Sequence, residues 1–243
     1  NKMEGTTKGD ITSFELGNPA LDKRIGGIPI PSLMLLEGPN DSGKSVIAQQ
    51  ITYGALKSKN RLLYISTEET SKGLINNMER LKWSVTEHFL FGRFQVTSLA
   101  TSSMNWDQEI SKYYLIALIN YIKQKGDKYN IVVIDSITHL LTHAADTDIL
   151  DFFTQCRYLV DTIGQTFIFT MHPYALKKEL LIRVRSFCDG HIHLDIKNIR
   201  DINALTMNVA KLKGASKTVN EVITFEVSPV YGIKILPFSS ARG

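Results

Sequence analysis

The sequence predicts an α/β fold: a mostly parallel, twisted sheet flanked by helices, with antiparallel strands toward the C-terminus. Two observations carry this. Short continuous apolar runs alternate with segments of helical spacing up to Asp189, the pattern of strands buried on both faces. After Asp189 the texture changes to apolar–polar alternation, the pattern of strands with one solvated face. The 243 residues fit one large domain, residues 11–238, between flexible N- and C-terminal tails at 1–10 and 239–243.

In "LGNPALDKRIGGIPIPS", Gly26, Gly27 and the prolines mark loops and turns. "LMLLEG" is a buried strand, and "KSVIAQQITYGALKS" after it reads as a helix over 44–58. "RLLYIST" is a second strand, and "SKGLINNMERLKW" a helix with Leu74, Met78 and Leu81 on one face. "FLFGRFQVTS" reads as strand. Residues 106–123, "WDQEISKYYLIALINYIK", form a long helix that is apolar on nearly every side, hence buried or shared with a partner. "NIVVIDS" is the third strand, "ILDFFTQCRYLVDTIG" a helix and "TFIFTM" the fourth strand. "HIHLDI", "ALTMNVAKLK", "EVITFEV" and "GIKIL" then read as antiparallel strands joined at one edge.

Composition narrows the function classes. An apolar fraction of 43% and a charged fraction of 21% are those of a globular domain with a substantial core. A net charge of +4 is too small to argue for nucleic-acid or membrane binding by itself. Cys156 and Cys188 form neither a C-x-x-C pair nor a disulfide framework, which favours a reducing compartment. No apolar run approaches the ~18–20 residues that span a bilayer, and no secretory segment opens the chain. The expected location is cytoplasmic.

The chemistry is concentrated in "GPNDSGKS". Gly38, Gly43, Lys44 and Ser45 match G-x-x-x-x-G-K-[ST] in full. Glycines let backbone N–H groups curl around phosphates, and the following helix aims its positive end at them. Lys44 supplies a point charge and the Ser45 hydroxyl a ligand for Mg²⁺. With glycine near 7% of residues, a chance match is expected in roughly one chain of this length in a hundred. The match also lies between a buried strand and a helix, as the loop requires. The candidate nucleotide-binding residues are therefore Gly38, Pro39, Asn40, Asp41, Ser42, Gly43, Lys44, Ser45 and Val46. The Asp41 side chain should face away, because the loop's backbone does the binding.

Asp135 ends "IVVID", roughly ninety residues after the loop. Taken alone, a strand-end Asp before Ser reads as a helix cap. Beside a full phosphate loop it reads as the acid that holds Mg²⁺. Glu68 and Glu69 in "YISTEET" also follow a buried strand, where a carboxylate can orient and deprotonate water beside a γ-phosphate. Their alternative role is to favour the first turn of the next helix.

In order along the chain, "LGNPALDKRIGGIPIPSLMLLEGPNDSGKS", "YISTEET", "IVVIDS", "FCDGHIHLD" and "AKLKGAS" together resemble the RecA/KaiC-type P-loop ATPases over residues 11–236. Within them, the chain is most similar to single-domain members of the archaellum branch. The resemblance implies a RecA-like core, bound ATP and Mg²⁺, and a homo-oligomeric ring, often a hexamer, with nucleotide between neighbours. It implies Glu68 as catalytic base, Asp135 as the metal acid and Thr170 as a sensor. Lys211 and Lys213 fall where the family presents K-x-R to the neighbouring subunit's nucleotide. It further implies the archaellum motor ATPase and cytoplasmic ring components as partners, with peripheral association at a membrane motor. Lys213 departs from the family's arginine, and a lysine cannot clamp a phosphoryl group bidentately. Slow or absent hydrolysis follows as the expectation. The alternative is an active RecA/RadA-like ATPase working on single-stranded DNA.

Weaker signals are the basic stretch with Lys177, Lys178, Arg183 and Arg185, which reads as a solvated or interface helix, and two histidine pairs. His139/His143 are four residues apart, and His191/His193 share one strand face. Neither pair has a third ligand nearby in sequence, apart from Asp146 for the first.

Overall fold

A short antiparallel ribbon of β1 (Thr12–Phe14) and β2 (Ile28–Ile30) brackets α1 (Pro19–Ile25). The Asn18 side chain starts this helix by accepting from the Ala20 and Leu21 N–H groups, and Gly26 ends it at φ 79°. The computed structural model describes residues 12–99, 101, 105–199, 202–214, 222–230 and 232–236. The expected tails and the last two residues of "AKLKGAS" lie outside these.

β3 (Leu33–Glu37) leads through the glycine loop into α2 (Lys44–Lys57). There follow β4 (Leu62–Ser66), α3 (Ser71–Arg80), α4 (Thr86–Leu90), β5 (Phe94–Ser98), α5 (Gln108–Lys125), β6 (Ile131–Asp135) and α6 (Thr138–Thr142). The chain continues with α7 (Asp146–Ile163), β7 (Thr166–Met171), α8 (Lys178–Phe187), β8 (Gly190–Ile199), β9 (Ile202–Leu212), β10 (Val222–Ser228) and β11 (Gly232–Leu236). Among the described residues the main sheet has the order β11-β10-β9-β8-β3-β7-β6-β4-β5.

β3, β4, β6 and β7 are buried at every position because helices cover both faces of the sheet. Met34 and Leu36 face α2 and α3 in one apolar core; Leu33 and Leu35 face α5, α7 and α8 in the other. Phe167 and Phe169 stack 5.9 Å apart on the second face, and Phe153 of α7 meets Phe169 edge-on at 5.3 Å. Both cysteines are buried free thiols in this second core.

The structure corrects two expectations. "FLFGRFQVTS" is not one strand: Phe89 and Leu90 end α4, Gly92 turns at φ 68°, and β5 begins only at Phe94. The glycine breaks the run that the apolar pattern joined. The first strand after Asp189 is not purely antiparallel either. β8 pairs parallel with β3 and antiparallel with β9, so it joins the two parts of the sheet. The α5 helix, expected to be buried or shared with a partner, buries Leu115, Leu118, Ile119 and Ile122 on one face and leaves Tyr113 68% and Ile116 48% exposed on the other.

Gly54 of α2 shows what helix–ribbon packing demands. A Cβ there would stand 2.2 Å from the Glu15 carbonyl oxygen and 2.5 Å from Leu16 backbone. Ala gains ~1 kcal/mol of helix propensity over Gly, but overpacking against backbone costs roughly 1–3 kcal/mol. The clash should win. Gly54→Ala is expected to lower the urea midpoint; an unchanged or raised midpoint would show that the N-terminal ribbon yields freely.

Candidate nucleotide site

The glycine loop leaves β3 at the carboxyl end of the sheet, where open α/β sheets bind ligands. At Gly38 a Cβ would lie 2.4 Å from the Leu194 carbonyl oxygen, so only glycine lets the loop pass β8. Asp41 and Gly43 take left-handed backbone, with φ 59° and 88°. Gly43 is the N-cap of α2 and makes no side-chain cap, so the first-turn N–H groups have no side-chain partner there. Uncapped amides at the positive end of a 14-residue helix suit an anion. The Ser42 hydroxyl donates to the Pro39 carbonyl at 2.8 Å, bracing the loop from inside.

A cavity of about 520 Å³ opens over this loop. Asn40, Asp41, Gly43, Lys44, Ser45, Val46, Glu68 and Asp135 line it together with Ser136, His172, Leu205 and Val227. Lys44 is buried. Its ammonium donates to the Pro39 carbonyl at 2.6 Å and lies 3.5 Å from His172 Nδ1. An ammonium can only donate, so His172 offers the Nδ1 lone pair. Burial pulls the Lys44 pKa down, while Asp135, Glu68 and Asp41 oppose that. Burial, then Lys44 and His139, lower that of His172, keeping its ring neutral at pH 7.

Asp135 is the centre of the site. Its Oδ1 accepts from Ser45 at 3.0 Å and Thr170 at 2.5 Å; its Oδ2 accepts from the Tyr64 hydroxyl at 2.6 Å. Burial and then the Asp135 charge push the Tyr64 phenol well above its ordinary value, so it remains a donor. Ser45 Oγ and Asp135 Oδ1 are hard oxygen ligands of the kind that hold Mg²⁺, with Lys44 beside them for phosphate charge. These donors fit a Mg·nucleotide.

The glutamate pair divides. Glu68 is exposed on the cavity rim. Glu69 turns toward α3, where its Oε1 accepts from Asn77 at 3.0 Å, and burial raises its pKa. Glu69 is therefore placed to support the turn, with Glu68 at the cavity. Asp41 is exposed, as expected, but on the cavity wall. Lys211 donates to the Cys188 carbonyl of its own chain, whereas Lys213 is exposed just beyond β9. Within one chain, β8–β9 pairing lays Lys211 against the segment before β8 and leaves Lys213 the more exposed of the two.

The sequence reading missed His172, Tyr64, Ser136, Leu205 and Val227. His172 follows β7, so strand-end position was an available signal for it; Tyr64 lies in the middle of β4, where its hydroxyl inside an apolar run was the available signal. Leu205 and Val227 reach the cavity from β9 and β10, and no local pattern announces that.

A glycine loop between strand and helix, an acid at the end of a second strand and a lysine in the loop define a P-loop nucleotide-binding protein. The KaiC ATPase family model matches residues 15–240. The chain belongs to the KaiC ATPase family. It is 31% identical over 226 residues to the archaeal flagellar ATP-binding protein FlaH of Sulfolobus acidocaldarius, covering 93% of this chain and 97% of that one. With FlaH of Methanocaldococcus jannaschii it shares 26% identity over 93% of this chain and 96% of that one. A crystal structure of the flagellar accessory protein FlaH from M. jannaschii superposes with a TM-score of 0.80 at 24% identity, over 94% of this chain and 100% of that one. A KaiC-like protein from Pyrococcus horikoshii gives 0.72 at 20% identity, over 94% and 100%. The RecA/KaiC-like fold is thus established. No helix among the described residues is long and apolar enough to cross a membrane.

Two outcomes are expected. Tyr64→Phe takes a donor from the buried Asp135 carboxylate and should cost ~1.5–3 kcal/mol of stability, read by urea denaturation. Glu37, immediately before the loop, is 1% exposed; burial opposes its ionisation, but hydrogen bonds from His191 and Arg185 and the Arg185 charge hold it down at about 2, against 4.5. A depressed folded-state value means the stabilisation is complete above 4.5 and lost as pH falls toward 2. Glu37→Gln should flatten that slope in denaturant midpoints measured across this window.

Proposed function

We propose that the chain binds Mg·ATP in the cavity above the glycine loop and that occupancy, more than turnover, is its output. In this reading it works in the archaellum motor complex of an archaeal cell. It forms a homo-oligomeric ring, a hexamer, with nucleotide between neighbours at the cytoplasmic face of the membrane motor. Loading with ATP regulates its assembly with the motor ATPase and the surrounding cytoplasmic ring. Relatives named as archaeal flagellar ATP-binding proteins support the setting.

The observation that carries the reading is the cationic complement at β9. Lys211 is tied to the Cys188 carbonyl, and the exposed cation after the strand is Lys213, not an arginine. A trans arginine can contribute ~10³–10⁵ in phosphoryl-transfer rate, and one lysine point charge lacks its bidentate grip. Binding needs less: Lys44, the α2 amides, Ser45 and Asp135 supply charge neutralisation and a metal ligand set within one chain. Glu68 on the rim can orient water, which allows slow hydrolysis. Across an interface, nucleotide oxygens add charge-assisted hydrogen bonds and so favour assembly by linkage.

The single-stranded DNA reading finds less support. In α8, Leu180, Leu181 and Val184 face the core and Arg185 pairs with Glu37, so one of the four cations in the basic stretch is already neutralised.

Phosphate release over hours should be slow, and light scattering should report larger assemblies with ATP than with ADP or no nucleotide. Lys44→Ala should abolish both nucleotide binding and the size difference. Turnover near one per second that disappears in Glu68→Gln would overturn the occupancy reading (a rate within the ordinary enzyme range).

A further inference from the structure

We propose that Glu37, His191 and His193 form a second cation site, separate from the phosphate cavity, that takes a divalent transition-metal ion of the Zn²⁺ type. His191 and His193 lie two apart on β8, so the pleat puts both imidazoles on one face of the sheet. Parallel pairing sets Leu35 beside His191 and Glu37 beside His193. Glu37 ends β3 on that same face. The three ligand atoms all lie within 4.8 Å of one another. In a tetrahedral shell with bonds near 2.0–2.2 Å, ligand atoms stand about 3.4 Å apart. Torsions of the two histidine side chains, which are less buried than Glu37, can close that difference, because the strand backbones already provide the spacing.

The donor chemistry selects the ion. Two imidazoles and one carboxylate are the ligands of Zn²⁺ and its transition-metal neighbours, with a fourth position left open. Mg²⁺ prefers oxygen ligands, as at Ser45 and Asp135. The two sites thus sort two kinds of cation within one chain. The His193 backbone is held in the sheet between β3 and β9, but its half-buried side chain makes no hydrogen bond or ion pair among the described residues, which leaves its ring available. His191 Nε2 faces the site and donates its proton to Glu37 Oε2 at 3.1 Å; metal binding would replace that proton, with the imidazole proton held on Nδ1 instead.

Arg185 contacts the same carboxylate, with Nε 3.0 Å from Oε2 and Nη2 2.5 Å from Oε1. Its charge weakens cation binding but does not block it. An ionised carboxylate offers about four lone-pair sites, and outer-shell donors of this kind orient ligating carboxylates. Burial matters equally: Glu37 is 1% exposed, so its rotamer is held and little ordering is left for the metal to impose.

The test uses the full chain without a polyhistidine tag, stripped with chelator and titrated with Zn²⁺ by calorimetry in excess Mg²⁺. Co²⁺ titration followed by visible absorption reports on coordination directly. One equivalent per chain is expected, not displaced by Mg²⁺. Even outer-shell changes cost ~10–100-fold in affinity, so His193→Asn should weaken Zn²⁺ binding by about 100-fold or more. His193 has no partner to lose, and unchanged ATP binding by the variant shows that it folds. The double change His139→Asn, His143→Asn should leave Zn²⁺ affinity intact. Absence of Zn²⁺ binding by the natural chain, equal affinity in His193→Asn, or loss of binding only in the His139/His143 variant overturns the assignment.

Discussion

The buried carboxylate of Asp135 is the point on which the site depends. A charge removed from water must find donors or shift its protonation, and three hydroxyls from three elements meet this one. Ser45 comes from the first turn of α2, Tyr64 from β4 and Thr170 from β7. These bonds tie the start of the phosphate-binding helix to three strands of the sheet. The loop is therefore positioned from below by a polar network and not only by its own glycines.

Around that anchor the electrostatics are balanced. Lys44 is buried, and its nearest acids are Asp135, Glu68 and Asp41. Its ammonium rests on a loop carbonyl and beside a neutral histidine, positions it can exchange for phosphate oxygens without leaving the cavity. His172 in turn stacks on exposed Tyr174 at 5.1 Å, in the segment that leads to α8. The phosphate pocket thus touches, through one ring pair, the part of the chain that carries the basic helix.

β8 gives the molecule its other organising feature. By pairing parallel with β3 and antiparallel with β9, it extends a RecA-like core into the strands that supply Leu205 and Val227 to the cavity wall. The same strand places His191 and His193 opposite the end of β3, one residue before the phosphate loop begins. Glu37 therefore stands between two sites: Arg185 and His191 hold its side chain, and its backbone continues into Gly38.

By itself the sequence determined what depends on short-range pattern. Four apolar runs became the four strands β3, β4, β6 and β7, and G-x-x-x-x-G-K-S became an uncapped helix start, because these signals lie within a few consecutive residues. Glu68 and Asp135 were legible from their places after and at the end of buried strands for the same reason, whereas Thr170 was indicated by the family resemblance. Tertiary structure alone decided what depends on register between distant segments. The separation of Glu68 from Glu69 rests on Asn77 of α3; the retention of Lys211 rests on the Cys188 carbonyl. The third ligand for His191 and His193 comes from Glu37, 154 residues from His191, because a parallel sheet makes neighbours of strands that the chain keeps far apart.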